Sequence, residues 1–234
     1  MARLYAAWES AVAVARCAMT GPEHRLSRGL FLVFEGIDGA GKTAQVHLLE
    51  TRLQQEGYPV VCCKEPTTGP WGQKLRHLAA HGRTVEPATE LEWFLQDRRD
   101  DVAQSILPAL ERCQIVLLDR YYFSTMAYQG ALGISPQDIQ ARNELFAPPP
   151  DLLLLLEVPV AQSLQRVRQR GGRSHFERHA YLTQVAAIFG EMQFPYLTRI
   201  DASQAPALVH TCIWQAVVPL LAGTTHAAPR DVTI

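Results

Sequence analysis

Residues 30–43, LFLVFEGIDGAGKT, decide how the rest of the chain is read. Leu30-Phe31-Leu32-Val33-Phe34 is a short, continuous apolar run, the pattern of a strand buried on both faces of a parallel sheet. Gly36-x-x-x-x-Gly41-Lys42-Thr43 follows at once, and a helical pattern opens near Thr43. Strand, glycine-rich loop and helix in that order are the setting in which this motif binds phosphate. The glycines let the main chain curl so that several N–H groups face inward, and the helix N-terminus adds partial positive charge. Lys42 is expected to reach the β- and γ-phosphates as a point charge, and Thr43 to offer its hydroxyl to Mg²⁺. A glycine-rich turn with a chance Lys-Thr is the plainer alternative, and the flanking pattern argues against it. The stretch reads as a nucleoside triphosphate site.

Downstream, Val46, Leu48, Leu49 and Leu53 keep a helical period from Thr43 to Glu56, and Gly57 stops it. Tyr58–Cys63 reads as a second strand, broken by Lys64-Glu65-Pro66-Thr67-Thr68-Gly69-Pro70. Helices are expected over about 71–80 and 88–111, and Ile115–Leu118 as a third strand ending at Asp119-Arg120-Tyr121. Ser135-Pro136 has the form of an N-cap followed by proline at the first helical position. Leu152–Leu156 reads as a fourth strand and Tyr196–Ile200 as a fifth. Helices are expected over about 160–169, 177–192 and 205–221. Strands alternating with helices throughout mean one three-layer α/β/α domain on a five-stranded parallel sheet.

Composition agrees. A chain of 234 residues, 47% apolar and 19% charged, suffices for one domain with a sizeable core. Its net charge of −1 offers no basic excess for nucleic acid or a membrane surface. The five cysteines, Cys17, Cys62, Cys63, Cys113 and Cys212, read as small buried hydrophobes in a reducing cytosol, giving a cytoplasmic expectation. The eight histidines show no ligand spacing with them, and no apolar run approaches the length of a membrane span. Residues 1–29 read as an extension outside the domain, weakly amphipathic over Met1–Cys17, and Met19 is an alternative start. Residues 30–221 read as the domain and 222–234 as a tail.

Ligands of such sheets sit at the carboxyl ends of the strands. That rule brings the loop at 36–43, Lys64-Glu65-Pro66, Asp119-Arg120 and Asp201 to one crevice. Asp119 is placed to bind Mg²⁺ directly or through water, and Arg120 to hold a phosphate bidentately. The plainer alternative has Asp119 capping the next turn and pairing with Arg120. Phe94 and Arg98, four residues apart, share one helix face, where a ring can stack on a base and a guanidinium can reach its exocyclic oxygen. A core phenylalanine beside a solvated arginine has the same spacing. Arg166, Arg168, Arg170 and Arg173, with Gly171-Gly172 among them, read as a cationic lid over about 166–177 that offsets developing negative charge and excludes water. A solvated basic helix end is the alternative.

Together these residues resemble the thymidylate kinases, over roughly 30–221. The resemblance rests on Phe34 to Thr43, Lys64-Glu65-Pro66, Phe94 and Arg98, Asp119-Arg120-Tyr121 with Ser124, Ala127, Tyr128 and Gln129, and Arg170-Gly171. It implies a P-loop kinase fold and transfer of the ATP γ-phosphoryl group to dTMP, with Mg²⁺, in a homodimer packed through helices. By that likeness ATP is held by Gly36, Ile37, Asp38, Gly39, Ala40, Gly41, Lys42, Thr43, Arg166, Ala202 and Gln204, the last two from the adenine-side turn Asp201–Gln204. Thr43 and Asp119 take the metal. Phe94 stacks on thymine, Arg98 reaches its O4, Ser124, Tyr128 and Gln129 line base and sugar, and Asp38 faces the 3′-hydroxyl or acceptor phosphate. Arg120 holds that phosphate, with Lys64 and Glu65 nearby. Some members carry an arginine after the acidic residue of the loop, where this chain has Gly39; members lacking it draw the catalytic arginine from the lid, which points to Arg170 and Arg173 beside Lys42 and Arg120. Three departures stand out: Lys64 where arginine is common, Thr67-Thr68-Gly69-Pro70 in the following turn, and Ser174-His175 where many bacterial members have Asp-Arg. A kinase for another nucleoside monophosphate or a deoxynucleoside, and a non-catalytic nucleotide switch, are the alternatives. Against a GTPase, the chain has no Asn-Lys-x-Asp.

Overall fold

The computed structural model describes residues 26–82, 84–169 and 176–224, the side chains of 176–178 excepted. Residues 1–25 and 225–234, and the lid residues Arg170, Gly171, Gly172, Arg173, Ser174 and His175, lie outside the described residues.

Five parallel strands, β1 (Leu30–Glu35), β2 (Val60–Lys64), β3 (Ile115–Asp119), β4 (Leu152–Glu157) and β5 (Leu197–Asp201), form one sheet in the order β2-β3-β1-β4-β5. The continuous apolar runs take the three central places, because strands covered on both faces cannot carry polar side chains. The half-exposed β2 and β5 are the edges. Register then aligns the polar strand ends. Phe34 and Lys64 both lie level with Asp119, and Glu157 lies level with Asp201.

Helices follow each strand: α1 (Lys42–Gln55), α2 (Pro70–His81), α3 (Pro87–Asp101), α4 (Leu107–Glu111), α5 (Tyr122–Gly130), α6 (Pro136–Asn143), α7 (Val160–Arg168), α8 (Phe176–Glu191) and α9 (Pro206–Thr224). The α1 helix packs on β1, β2, β3 and α9, while α5 packs on α3, α6 and α8. Most expected elements lie within two residues of their observed bounds.

Some readings are corrected. The stretch expected as one helix to Glu111 is broken by a π-helical turn, Val102–Ile106, between α3 and α4. The α5 helix was not foreseen: seven of its nine residues are buried, so it lacks the polar face that marks a helix in sequence. Of the described cysteines only Cys113 is buried; Cys62 and Cys212 are exposed and Cys63 is half-buried. An edge strand and an outer helix leave one side of each element open. The α9 helix is by length and composition able to cross a membrane, contrary to the sequence reading. Here it packs on α1 and β5 through Val209, Ile213, Val217 and Leu221. Residues 26–29 join the fold: Leu26 is buried, Ser27 N–H donates to the Thr224 carbonyl and Arg28 pairs with Asp151.

Candidate active site

The loop between β1 and α1 curls through glycines with positive φ at 36, 39 and 41. Two of them are also fixed by space: a Cβ at Gly36 would stand 2.4 Å from the Leu156 carbonyl oxygen, and one at Gly39 would stand 2.6 Å from that of Ser163. Lys42 is buried, and its ammonium donates to the carbonyls of Gly36 (2.8 Å) and Ile37 (3.0 Å). Burial, then the charge of Arg120, lowers its pKa to about 7, against the pull of Asp38, Asp119 and Glu35.

Beside it, the Thr43 hydroxyl donates to Asp119 Oδ2 in a short contact, and Lys64 Nζ lies 2.9 Å from that oxygen and 3.0 Å from Thr43 Oγ1. Burial pushes the Asp119 carboxyl up, but the bonds from Thr43 and Lys64 and the charge of Lys42 outweigh it and hold it below the usual range. Asp119 Oδ1 is buried without a hydrogen-bond partner among the described residues. An ionised carboxylate with one spare oxygen beside a threonine hydroxyl is a hard-oxygen donor set, which suits Mg²⁺.

The turn after β3 is fixed from β1. Glu35, fully buried, accepts from the backbone N–H groups of Tyr121 (2.8 Å) and Ser124 (2.9 Å) and from the Ser124 hydroxyl (2.6 Å). It therefore caps the first turn of α5, which has no cap of its own. Burial raises its carboxyl, while Arg120, Ser124, Tyr121 and Lys42 oppose that shift. Arg120 itself sits at φ 76°, a strained conformation for a side-chain-bearing residue, held by its N–H bond to the Phe34 carbonyl. Its guanidinium donates to Asp38 Oδ1 (2.5 Å) and Ser124 Oγ (3.0 Å) and lies over the Tyr128 ring. Burial disfavours its charge, but Tyr128, Asp38, Glu35 and Asp119 outweigh that, so it stays protonated.

Two cavities meet at this pair. One, of about 250 Å³, is lined by Asp38, Gly39, Gly41, Lys42, Thr43, Ala44, Lys64, Asp119 and Arg120. The other, of about 420 Å³, is lined by Asp38 and Arg120 again, with Pro66, Phe94, Ser124, Thr125, Tyr128 and Gln129 and residues of α2. Tyr128 ties the two together, because its hydroxyl accepts from the Asp38 N–H at 3.0 Å. Behind it, Tyr181 of α8 donates to the Tyr128 carbonyl at 2.8 Å.

Arg98 does not line either cavity. It is 1% exposed, bonded to Asn143 Oδ1 (2.7 Å) and Thr125 Oγ1 (3.2 Å) and closed on the buried Glu65. Thr125 stands between it and the larger cavity. Burial pushes the Glu65 carboxyl upward, with the Arg98 guanidinium opposing that shift.

On the far side of the loop, one face of α7 grips two carbonyl rows. Ser163 donates to the Asp38 carbonyl, Gln162 to that of Ser203 (2.9 Å), and Arg166 to those of Gly39 (3.3 Å) and Ala202 (3.0 Å). Asp201 in turn accepts from Ser203 N–H and Gln204 Nε2.

The structure thus gathers Asp38, Lys42, Thr43, Lys64, Asp119, Arg120, Phe94, Ser124, Tyr128 and Gln129 around the two cavities, sets Glu65 and Arg98 behind the larger one, and joins Arg166, Ala202 and Gln204 in a neighbouring group. Residues 36–41 supply the curl. Glu35, Thr125, Ser163 and Tyr181 were not singled out by the sequence reading. A carboxylate ending an otherwise apolar strand was the available signal for Glu35; the others act through contacts made by tertiary packing.

The model of the family described as Thymidylate kinase matches residues 34–213. The chain is 44% identical over 195 residues to the thymidylate kinase of Desulfotalea psychrophila, covering 82% of this chain and 96% of that one. It is 47% identical over 204 residues to the thymidylate kinase of Xanthomonas campestris pv. campestris, covering 85% and 89%. The crystal structure of thymidylate kinase from Ehrlichia chaffeensis superposes with a TM-score of 0.60 at 28% identity, covering 81% of this chain and 98% of that one. The chain belongs to the thymidylate kinase family.

Proposed function

We propose that this chain transfers the γ-phosphoryl group of ATP to deoxythymidine monophosphate, giving ADP and dTDP. The observation that carries the reading is the pair of cavities sharing Asp38 and Arg120 as their common wall, one at the phosphate loop and one floored by Phe94, Tyr128 and Gln129. Two anions seated there face each other across one guanidinium. That suits in-line displacement, in which positioning and charge compensation do most of the work.

Lys42 exchanges its two carbonyl partners for the β- and γ-phosphate oxygens of ATP, and the amides of 36–43 hold the rest of the triphosphate. Thr43 and Asp119 would hold Mg²⁺, which would supply positive charge to offset that of the phosphates. Arg120 takes the acceptor phosphate bidentately, with Lys64 beside it. Phe94 stacks on thymine; Ser124, Tyr128 and Gln129 line base and sugar, and Asp38 meets the 3′-hydroxyl side. Glu65 and Arg98, closed on each other behind Thr125, brace the back wall of the base cavity rather than reaching O4. The acceptor phosphate is already a nucleophile near neutral pH, so no general base is required. Arg170 and Arg173 supply the catalytic positive charge by family likeness, while Arg166, with Ala202 and Gln204, flanks adenine. The protein works as a homodimer in the cytoplasm, on small molecules alone.

The experiment is a coupled ADP-release assay with ATP and each of dTMP, dUMP, UMP, CMP and thymidine. The reading expects the highest kcat/KM with dTMP. Preference for another monophosphate or for thymidine would reassign the acceptor, and no turnover with any would favour a non-catalytic nucleotide switch.

A further inference from the structure

Lys64 is held where a metal ion is also wanted. Its ammonium touches Asp119 Oδ2 and Thr43 Oγ1, the two groups that the reading above gives to Mg²⁺. Its side chain is 57% exposed on the sheet edge, whereas Asp119 beneath it is almost wholly covered. The carboxylate and hydroxyl are thus fixed by the fold, and the cation above them is on a long, solvated, rotatable stem. The same side chain lines the 250 Å³ cavity together with Arg120, the expected holder of the acceptor phosphate. With the ammonium on Oδ2 only the Oδ1 of Asp119 is left for a divalent ion, and two cations on the two oxygens of one carboxylate, beside one threonine hydroxyl, repel each other strongly.

We propose that Lys64 is an exchangeable cation: it neutralises Asp119 in the nucleotide-free protein and is released toward Arg120 when Mg²⁺ arrives with the nucleotide, where it strengthens the hold on the acceptor phosphate. The metal and the acceptor are then coupled through one side chain. An arginine at this position would serve less well, because its planar fork favours a fixed bidentate pair over a swing between two partners. The inference rests on the reading that Thr43 and Asp119 hold Mg²⁺.

Calorimetric titrations of wild-type, Lys64→Met and Lys64→Arg proteins test it without turnover. Mg²⁺ is titrated at fixed ADP, and dTMP is titrated with and without Mg·ADP. In the wild type, Mg·ADP is expected to tighten dTMP binding by about fivefold or more, at the lower end of ordinary couplings between sites. Lys64→Met is expected to bind dTMP equally with and without Mg·ADP, and to need less Mg²⁺ for half-saturation, since its competitor is gone. Lys64→Arg, which keeps the charge, shows that loss of coupling does not come from misfolding if it retains part of the effect. Unchanged coupling in Lys64→Met, or a rise in the Mg²⁺ it requires, would overturn the proposal. Failure of the wild type to bind Mg·ADP at all would instead overturn the nucleotide reading beneath it.

Discussion

Arg120 and Asp38 are closed on each other at 2.5 Å, joining the turn after β3 to the loop after β1. Both residues line the two cavities. On the proposed function the pair stands where the γ-phosphoryl group would pass from donor to acceptor. Replacing Arg120 with Met is therefore expected to lower kcat/KM for dTMP by about 10²-fold or more, as loss of a preorganised charged donor does. Binding of Mg·ADP, followed by calorimetry, should change by less than about threefold, since its phosphates rest on Lys42 and main-chain amides. Equal losses for both nucleotides would place Arg120 outside the acceptor site.

Lys42 gives a pH-dependent signature. Its ammonium is lowered to about 7 by burial and by Arg120, so at pH 8.5 it is largely neutral in the free protein. A triphosphate beside it favours the charged form and raises that pKa. ATP binding at pH 8.5 should then take up close to one proton, and at pH 6, where Lys42 is already charged, almost none from this group. Calorimetry in buffers of different ionisation enthalpy measures this directly. The same uptake in Lys42→Met would assign the proton to another group.

Glu35 should matter more to stability than its place outside the ligand cavities suggests. Its two carboxylate oxygens satisfy two backbone N–H groups and one hydroxyl in a fully buried setting. Glu35→Ala leaves those donors unpaired and is expected to cost about 2–4 kcal/mol in urea unfolding, the range for stripping a buried charged acceptor. Activity should fall as well, because the strained Arg120 turn loses its anchor. A loss below about 0.5 kcal/mol, the usual surface value, would contradict this account of the turn.

The α7 clamp makes a donor-side prediction. Ser163→Ala removes the hydrogen bond that α7 donates to the Asp38 carbonyl, and Ser163 itself lines neither cavity. The KM for ATP is expected to rise by about three- to tenfold, equivalent to one ordinary hydrogen bond. The KM for dTMP should stay within about twofold. Steady-state kinetics with each substrate varied in turn decides it, and a rise confined to dTMP would contradict it.

Phe94 separates the two nucleotides from the other side. Its ring lines the acceptor cavity and none of the donor side. Phe94→Ala is expected to weaken dTMP by about 1–3 kcal/mol, the worth of stacking a base on an aromatic ring, and to leave ADP within twofold. Equal weakening of both would remove Phe94 from the base pocket.

Much of this arrangement was legible because it depends on local pattern. Continuous apolar runs located β1, β3 and β4, and the loop motif declared itself by its flanks. What was hidden depends on who packs against whom. The α5 helix is buried almost all round, so Tyr122 to Gly130 carry no amphipathic rhythm. Arg98 shares a helix face with Phe94, yet the two part company in space because Glu65 and Asn143 draw the guanidinium inward. The exposure of Cys62 follows from β2 lying at the sheet edge, a fact of strand order rather than of composition. Lys64 reads in sequence as an aid to the acceptor phosphate, and only the register of β2 against β3 reveals its contact with Asp119.

The most direct measurement is the transfer of radiolabelled γ-phosphate from ATP to dTMP by the wild type and by Lys42→Ala, with the product resolved chromatographically. The account predicts labelled dTDP from the wild type, and at least about 10²-fold slower formation in the variant. Near-normal transfer by Lys42→Ala, or label released to water instead of dTMP by the wild type, would contradict it.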